Sequence, residues 1–119
     1  MSQYLDAVRI PLSAKADASG IGVITAPRVA EGQILVCQSI AWKNETGARG
    51  TATFRVKSGG VVYPVNDQVS PAANTWYCYP YEVDVLEGEQ IEVSQASCTQ
   101  NDVLDLVITG YIVFRDDLV

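Results

Sequence analysis

Residues 51–57 read TATFRVK and decide the fold. Ala52, Phe54 and Val56 alternate there with polar residues. Successive side chains of a strand point to opposite faces, so this alternation predicts a strand with one buried and one solvated face. Residues 82–85 (EVDV) and 90–94 (QIEVS) repeat the pattern. Antiparallel β-structure is the expectation for this part of the chain.

Turn residues separate these runs along the chain. Ser58, Gly59 and Gly60 predict a hairpin between residues 51–57 and 61–65. Pro64 cannot donate to a ladder of backbone hydrogen bonds, which predicts that its strand lies at an edge. Such turn signals between short strands predict an all-β fold, an antiparallel β-sandwich of jelly-roll or immunoglobulin-like type with about eight strands.

The 119 residues fit one domain preceded by an N-terminal arm. Residues 4–12 have the composition of a strand, and the short polar stretch 13–19 is interpreted as a linker. The predicted organisation is an arm and linker over residues 1–20 and a β-sandwich domain over residues 21–119. The arm could add a strand to its own sheet or reach a neighbouring subunit.

Two predicted strands, residues 33–42 and 103–114, carry apolar residues on both faces. A sandwich strand needs only one apolar face, so the second one requires a cover, either the arm or another subunit. An interface between subunits, made by edge-strand addition and burial of this second face, is the preferred interpretation. The predicted assembly contacts are Tyr4, Leu5, Val8, Ile10, Tyr77, Tyr79, Tyr81, Val107, Tyr111 and Val113.

Residues 76–81, WYCYPY, form an unusual aromatic segment. Strand geometry places the three tyrosines on one face and Trp76 and Cys78 on the other. Three interpretations stay open. Trp76 fills the core while the tyrosines shield a sheet face, the tyrosines anchor a protein interface, or they stack sugars as in a carbohydrate-binding module.

The composition offers no equipment for catalysis or metal binding. Histidine is absent, and Cys37, Cys78 and Cys98 lack the spacing of metal ligands. The carboxylates fall in turns or at solvent-facing strand positions, where they protect solubility and edges. We therefore expect no enzyme activity, no cofactor and no metal. Reduced thiols are expected, and one disulfide remains an alternative.

The charge and the N-terminus bear on partners and location. A net charge of −6 without a dense cluster of Lys and Arg disfavours nucleic acid and anionic membranes as partners. The first residues lack the basic start and apolar core of a signal peptide, and every apolar run is far shorter than the roughly 20 residues that span a bilayer. The expectation is a soluble protein made in the cytoplasm.

Several motifs together resemble one family. They are residues 24–33 (ITAPRVAEGQ), 35–47 (LVCQSIAWKNETG), 51–56 (TATFRV), 86–93 (LEGEQIEV) and 106–112 (LVITGYI). They resemble the small β-sandwich virion proteins of tailed bacteriophages, in which a Pro-x-Gly turn leads into a long strand that ends in an Asn-x-x-Gly-like loop. This chain has three extra residues between Pro27 and Gly32, and residues before 20 lie outside the pattern.

The resemblance implies a non-catalytic structural role in a phage virion, after synthesis in the host cytoplasm. The first expectation is a capsid decoration (cement) protein that forms a dimer or trimer and docks on the major capsid protein or another virion protein. A neck or tail accessory protein, or a fibre-attachment protein, is the alternative. A carbohydrate-binding module is the alternative from another class.

Overall fold

Every regular element of the structure is a β-strand, as the alternating sequence predicts. The structure is a computed structural model that describes residues 3–46, 50–58, 61–70 and 73–115, with side chains over 6–46, 51–58 and 73–114. No helix occurs in these ranges, hence none that could span a membrane. The strands are β1 (Gln3–Lys15), β2 (Gly22–Thr25), β3 (Gln33–Asn44), β4 (Gly50–Ser58), β5 (Val61–Ser70), β6 (Tyr77–Tyr79), β7 (Val83–Val85), β8 (Gln90–Gln95) and β9 (Val103–Arg115).

The strands form two antiparallel sheets. The five-stranded sheet has the order β1-β9-β3-β6, with β7 also paired to β3, and the four-stranded sheet has the order β2-β8-β4-β5. Side chains from both sheets form one core between them. The predicted antiparallel β-sandwich is confirmed.

The core follows the predicted alternation. Its largest fully buried side chains are Phe54, Ile40, Ile91, Leu106, Ile108, Val56, Val85 and Cys37. Phe54 of β4 faces Trp42 of β3 across the sandwich, with ring centroids 5.0 Å apart in an edge-to-face arrangement. Aromatic pairs favour this geometry, so the contact fixes how the two sheets pack.

The N-terminal strand pairs within its own chain. β1 pairs with β9 over thirteen positions, from Gln3 opposite Arg115 to Lys15 opposite Val103. Of the two alternatives for the arm, the structure has the first, a strand added to its own sheet. The predicted linker is also shorter than expected, because residues 13–15 still belong to β1. The segment assigned to an arm over residues 1–20 is thus continuous with the sandwich from Gln3 to Lys15.

Irregular pairing marks two places in the sheets. The β4–β5 register shifts between Phe54 and Val56, opposite Pro64, and β5 lies at the edge of its sheet as Pro64 predicts. The β3–β9 register shifts between Cys37 and Ser39, which places the backbone of Val36 against Gly110. A Cβ added at Gly110 would lie 2.1 Å from the Val36 carbonyl oxygen, so only glycine permits this approach.

The longer loop after Pro27 is attached to the turn at residues 86–89. The Gly32 backbone N–H donates to Glu87 Oε1 over 2.7 Å, and Arg28 Nη1 donates to the Gly88 carbonyl over 3.1 Å. The Val29 N–H also donates to the Glu89 carbonyl. These bonds give the extra residues a defined position beside β8.

Candidate functional site

The outer face of the five-stranded sheet is the candidate functional site. Along β9, even-numbered side chains such as Leu106 and Ile108 are buried, whereas odd-numbered ones point away from the core and are half-buried by their strand neighbours. All nine strands belong to the two sheets, so no third layer of strands covers this face in the described ranges. The members of the outer face on the three long strands are Ile34, Val36, Ser39, Ala41 and Lys43 of β3; Val103, Asp105, Val107, Thr109, Tyr111 and Val113 of β9; and Ala7, Arg9, Pro11, Ser13 and Lys15 of β1.

Strand register arranges this face in rows. Residues that pair across strands share a face, and their side chains are in contact distance. The apolar rows are Ile34–Val113, Val36–Tyr111–Ala7 and Ala41–Val107–Pro11; a hydroxyl row, Ser39–Thr109–Arg9, lies between the last two, and Lys43–Asp105–Ser13 follows. Two patches of apolar side chains therefore lie in the centre of the sheet, where neighbours on both sides hold the strands in place.

The charged row carries its own ion pair. Lys43 Nζ lies 3.9 Å from Asp105 Oδ2 and 4.9 Å from the centroid of the exposed Trp76 ring. The pKa of the neighbouring Glu45 is raised, first by a hydrogen bond with Asp105 and second by the negative charge of Asp105. Polar groups thus border the apolar rows at this end, as they do at the rims of protein interfaces.

The outer face of the four-stranded sheet has the opposite character. Glu92 of β8 accepts ion pairs from Lys57 at 3.1 Å and from Arg55 at 3.6 Å, and Arg55 also donates to Ser94 Oγ. Among the described strand residues of this face, Val23 is the large apolar residue that is exposed, at 44%. Over the described side chains, the outer face of β4 and β8 is charged and solvated, whereas that of the five-stranded sheet carries the apolar rows.

The sheet edges are poorly suited to accepting another strand. The two long edge strands, β1 and β5, contain Pro11 and Pro64 near their middles, and proline has no N–H to offer. The other edges are short, with four residues in β2 and three each in β6 and β7. Pro64 was predicted to lie in an edge strand, whereas no such prediction was made for Pro11. These edges disfavour the expected edge-strand addition.

The three tyrosines of the aromatic segment turn towards the core. Tyr81 is 3% exposed, and the rings of Tyr79 and Tyr81 lie 5.8 and 5.9 Å from that of Phe54. Tyr77 packs on Trp42 at 5.8 Å. Trp76, which one interpretation placed in the core, is 45% exposed instead. The tyrosine row needed for stacking sugars therefore forms part of the sandwich interior.

The other predicted contacts divide between the two faces of the five-stranded sheet. Val107, Tyr111 and Val113 lie on its outer face, whereas Val8 and Ile10 pack against the core. The side chains of Tyr4 and Leu5 lie outside the described residues. The predicted contacts include no β3 residue, although a second apolar face was predicted for residues 33–42.

A buried polar cluster closes one end of the sandwich. Asn44 Nδ2 donates to Asp102 Oδ2 over 3.3 Å, and Thr46 Oγ1 donates to Asp102 Oδ1 over 2.8 Å. Burial opposes ionisation of Asp102, but these bonds and one from the Thr99 N–H together lower its pKa below the ordinary value. The cluster joins the loops after β3 and β8 and leaves no carboxylate oxygen free for chemistry. A polar residue at the end of a strand was the sole sign of this cluster in the sequence.

Among the described residues, no group of three His, Cys, Asp or Glu side chains could hold a metal ion. The three cysteines are free thiols, and burial raises the pKa of Cys37 to about 12, so this thiol stays protonated. A groove of about 160 Å³ opens between the loop after β2 and the sheets, lined mainly by Ile10, Val29, Leu35, Val85, Ile91 and Ile112. Most of this lining is apolar, and Arg28 is its charged member.

Comparison with known proteins reveals similarity in fold. No protein-family model and no curated protein matches the chain in sequence. A protein of the disulfide-linked pili that form Bacillus endospore appendages has a TM-score of 0.55 at 14% identity, with 97% of this chain and 91% of that chain covered. The NLP core of Drosophila, described in terms of pentamer formation and histone binding, has a TM-score of 0.50 at 15% identity, with 89% of this chain and 98% of that chain covered.

A third structure, from virus-like particles of the extra small virus of the prawn Macrobrachium rosenbergii, has a TM-score of 0.49 at 11% identity. It covers 98% of this chain and 82% of that chain. At these identities the first two similarities show a shared β-sandwich fold, and the third is too weak to add to it.

Proposed function

We propose that this chain is a non-catalytic structural subunit of a virion and assembles through the outer face of its five-stranded sheet. The observation that carries this proposal is the difference between the two outer faces. No strand in the described ranges covers the apolar rows around Val107 and Tyr111, while the opposite face bears the Glu92 ion pairs. Apolar patches bordered by polar residues are typical of an association site.

The finer proposal is a capsid decoration (cement) protein of a tailed bacteriophage, made in the host cytoplasm and incorporated into the virion. The motif resemblance supports it. The two proteins of similar fold also favour an assembly role, since one belongs to pili and the other is described in terms of pentamer formation. A neck, tail or fibre-attachment protein is the alternative within the same class. A face with no catalytic groups suits each of these roles.

A matched pair of lysine substitutions tests the proposal. Val107→Lys introduces a charge in the centre of the apolar rows, and Val23→Lys introduces the same charge on the opposite sheet. Association would take the new lysine charge out of water and would no longer bury the valine side chain. Val107→Lys is therefore expected to raise the self-association Kd at least about tenfold. Val23→Lys is expected to leave it unchanged.

Sedimentation equilibrium measures the self-association, and co-sedimentation with empty capsids of the phage that encodes the chain measures docking. Circular dichroism checks that both variants are folded. Equal Kd values for wild type, Val107→Lys and Val23→Lys would refute the assembly face. Self-association through this face without any binding to capsid, neck or tail would refute the virion role alone.

A further inference from the structure

The two margins of the outer face carry opposite charges. Arg9 and Lys15 point outwards on β1, at one margin, and both are exposed. Glu82 and Asp84 are exposed at the other margin, beside β3, where Asp84 pairs with Val36 and the buried Tyr81 and Val85 fix the alternation. Because this protein has a net charge of −6, a basic margin is a departure from the average surface. The charge of the outer face therefore changes sign across the strands, from basic at β1 to acidic at residues 82–84.

The rows and margins together define how a second copy could pack. A two-fold axis parallel to the strands, placed between β9 and β3, lays each row on the same row of the partner. It places β9 over the partner's β3 and β1 over the partner's β6 and β7. Apolar rows then meet apolar rows, and Asp105 meets Lys43 of the partner subunit, since Asp105 and Lys43 share a row.

The same operation joins the charged margins. Arg9 lies in the row of Thr109 and Ser39. At the opposite margin of the same chain, Val83 pairs with Cys37, so the preceding Glu82 lies level with that row. Arg9 therefore meets Glu82 of the partner subunit, with Asp84 of the partner subunit in the adjacent row. A two-fold axis across the strands would instead lay β1 over β1 and β7 over β7, bringing like charges together. Like-charge juxtaposition disfavours that packing.

The face has the size of a stable interface. Twelve or thirteen residues at about 3.3 Å each make strands of about 40 Å, and four positions about 4.8 Å apart make a width of about 19 Å. The resulting area of roughly 750 Å² is close to the roughly 800 Å² that each partner contributes to a standard interface. Facing sheets in sandwiches also keep their strands nearly aligned, as this axis requires.

We propose that the occupant of this face is a second copy of the chain, packed about a two-fold axis parallel to the strands, so that the basic β1 margin meets the acidic Glu82–Asp84 margin of the partner. This inference rests on the proposed assembly face and specifies its partner and geometry. The contact between a basic and an acidic margin occurs twice in such a dimer.

Charge reversal provides the test. Arg9→Glu places acids opposite acids, and the double variant Glu82→Arg/Asp84→Arg places bases opposite bases. Each variant alone is expected to self-associate at least about tenfold more weakly than wild type at low salt, where charge pairs act most strongly. In an equimolar mixture, every margin faces its opposite, so a heterodimer of wild-type affinity is expected. Sedimentation with one variant fluorescently labelled measures all three species.

The outcomes separate this geometry from the assembly face itself. Failure of the mixture to form a heterodimer, or undiminished self-association of each variant alone, would overturn the proposed axis. If Val107→Lys still disrupts association in that case, the face is retained and its geometry is wrong. Capsid binding by wild-type monomers, blocked by Val107→Lys, would show that the occupant is another virion protein and would also overturn the inference.

Discussion

Replacing Gly110 with alanine tests the close approach of β3 and β9 at the centre of the outer face. The new Cβ would lie 2.1 Å from the Val36 carbonyl oxygen, 3.0 Å from the Val36 carbonyl carbon and 3.1 Å from Cys37 Cα. Carbon–oxygen contacts normally begin at about 3.3 Å, so one strand must move by about 1 Å. Both neighbours are backbone atoms of a central strand, which cannot rotate away as a side chain can.

The expected cost is about 2–4 kcal/mol of unfolding free energy. Overpacking a tight site costs about 1–3 kcal/mol, and stretching the neighbouring β3–β9 hydrogen bonds adds about 1 kcal/mol. Since small domains are stable by only about 5–15 kcal/mol, this loss is large. Urea unfolding followed by tryptophan fluorescence measures it, because Trp42 is buried in β3.

Gly88→Ala is the matched control. Gly88 has a φ of +79° and no atom within 4 Å of an added Cβ, so its substitution meets conformational strain without a clash. Strain of this kind costs roughly 1–2 kcal/mol. If Gly110→Ala destabilises the protein no more than Gly88→Ala does, then β3 and β9 are not held as closely as described, and the reasoning fails.

Two further predictions concern titration and thiol reactivity. The pKa of Asp102 is lowered in the folded chain, so its ionisation stabilises the fold above the unfolded-state pKa of about 3.9 and this contribution is lost as the pH falls through the folded-state pKa. Urea unfolding at a series of pH values should therefore give Asp102→Asn a flatter acid dependence than wild type, and parallel curves would contradict this. Under native conditions at mildly alkaline pH, iodoacetamide should modify the exposed Cys78 and spare Cys37, which is buried with its pKa raised to about 12. Mass spectrometry of digests checks this, and modification of Cys37 at the rate of Cys78 would contradict it.

Alternation was sufficient to predict the sandwich because apolar and polar residues alternate visibly in the sequence of the core strands. Phe54 and Val56 are fully buried where residues 51–57 placed them, and Pro64 lies in an edge strand. The same alternation placed Val107 and Tyr111 opposite the buried Leu106 and Ile108. A pattern of period two reports which residues share a face, and these predictions needed nothing more.

Which face of a strand turns inwards is a different question when both faces are apolar or aromatic. Tyr77, Tyr79 and Tyr81 were correctly placed on one face, but their inward direction depends on Phe54 and Trp42, which are distant in sequence. The pairing of β1 with β9 likewise joins the two ends of the chain. The β3 bulge and the Asn44–Asp102 contact arise from such distant neighbours too, so local patterns could not predict them.

The prolines in both long edge strands limit the valency of the subunit. With edge addition disfavoured, the outer face of the five-stranded sheet is the proposed contact between copies, and each copy offers it once. Units of valency one form closed pairs and cannot grow into fibres or sheets without a template. The number of binding sites on the lattice that receives the pairs would then set the number of copies in a larger particle. Surplus protein would remain as pairs in solution.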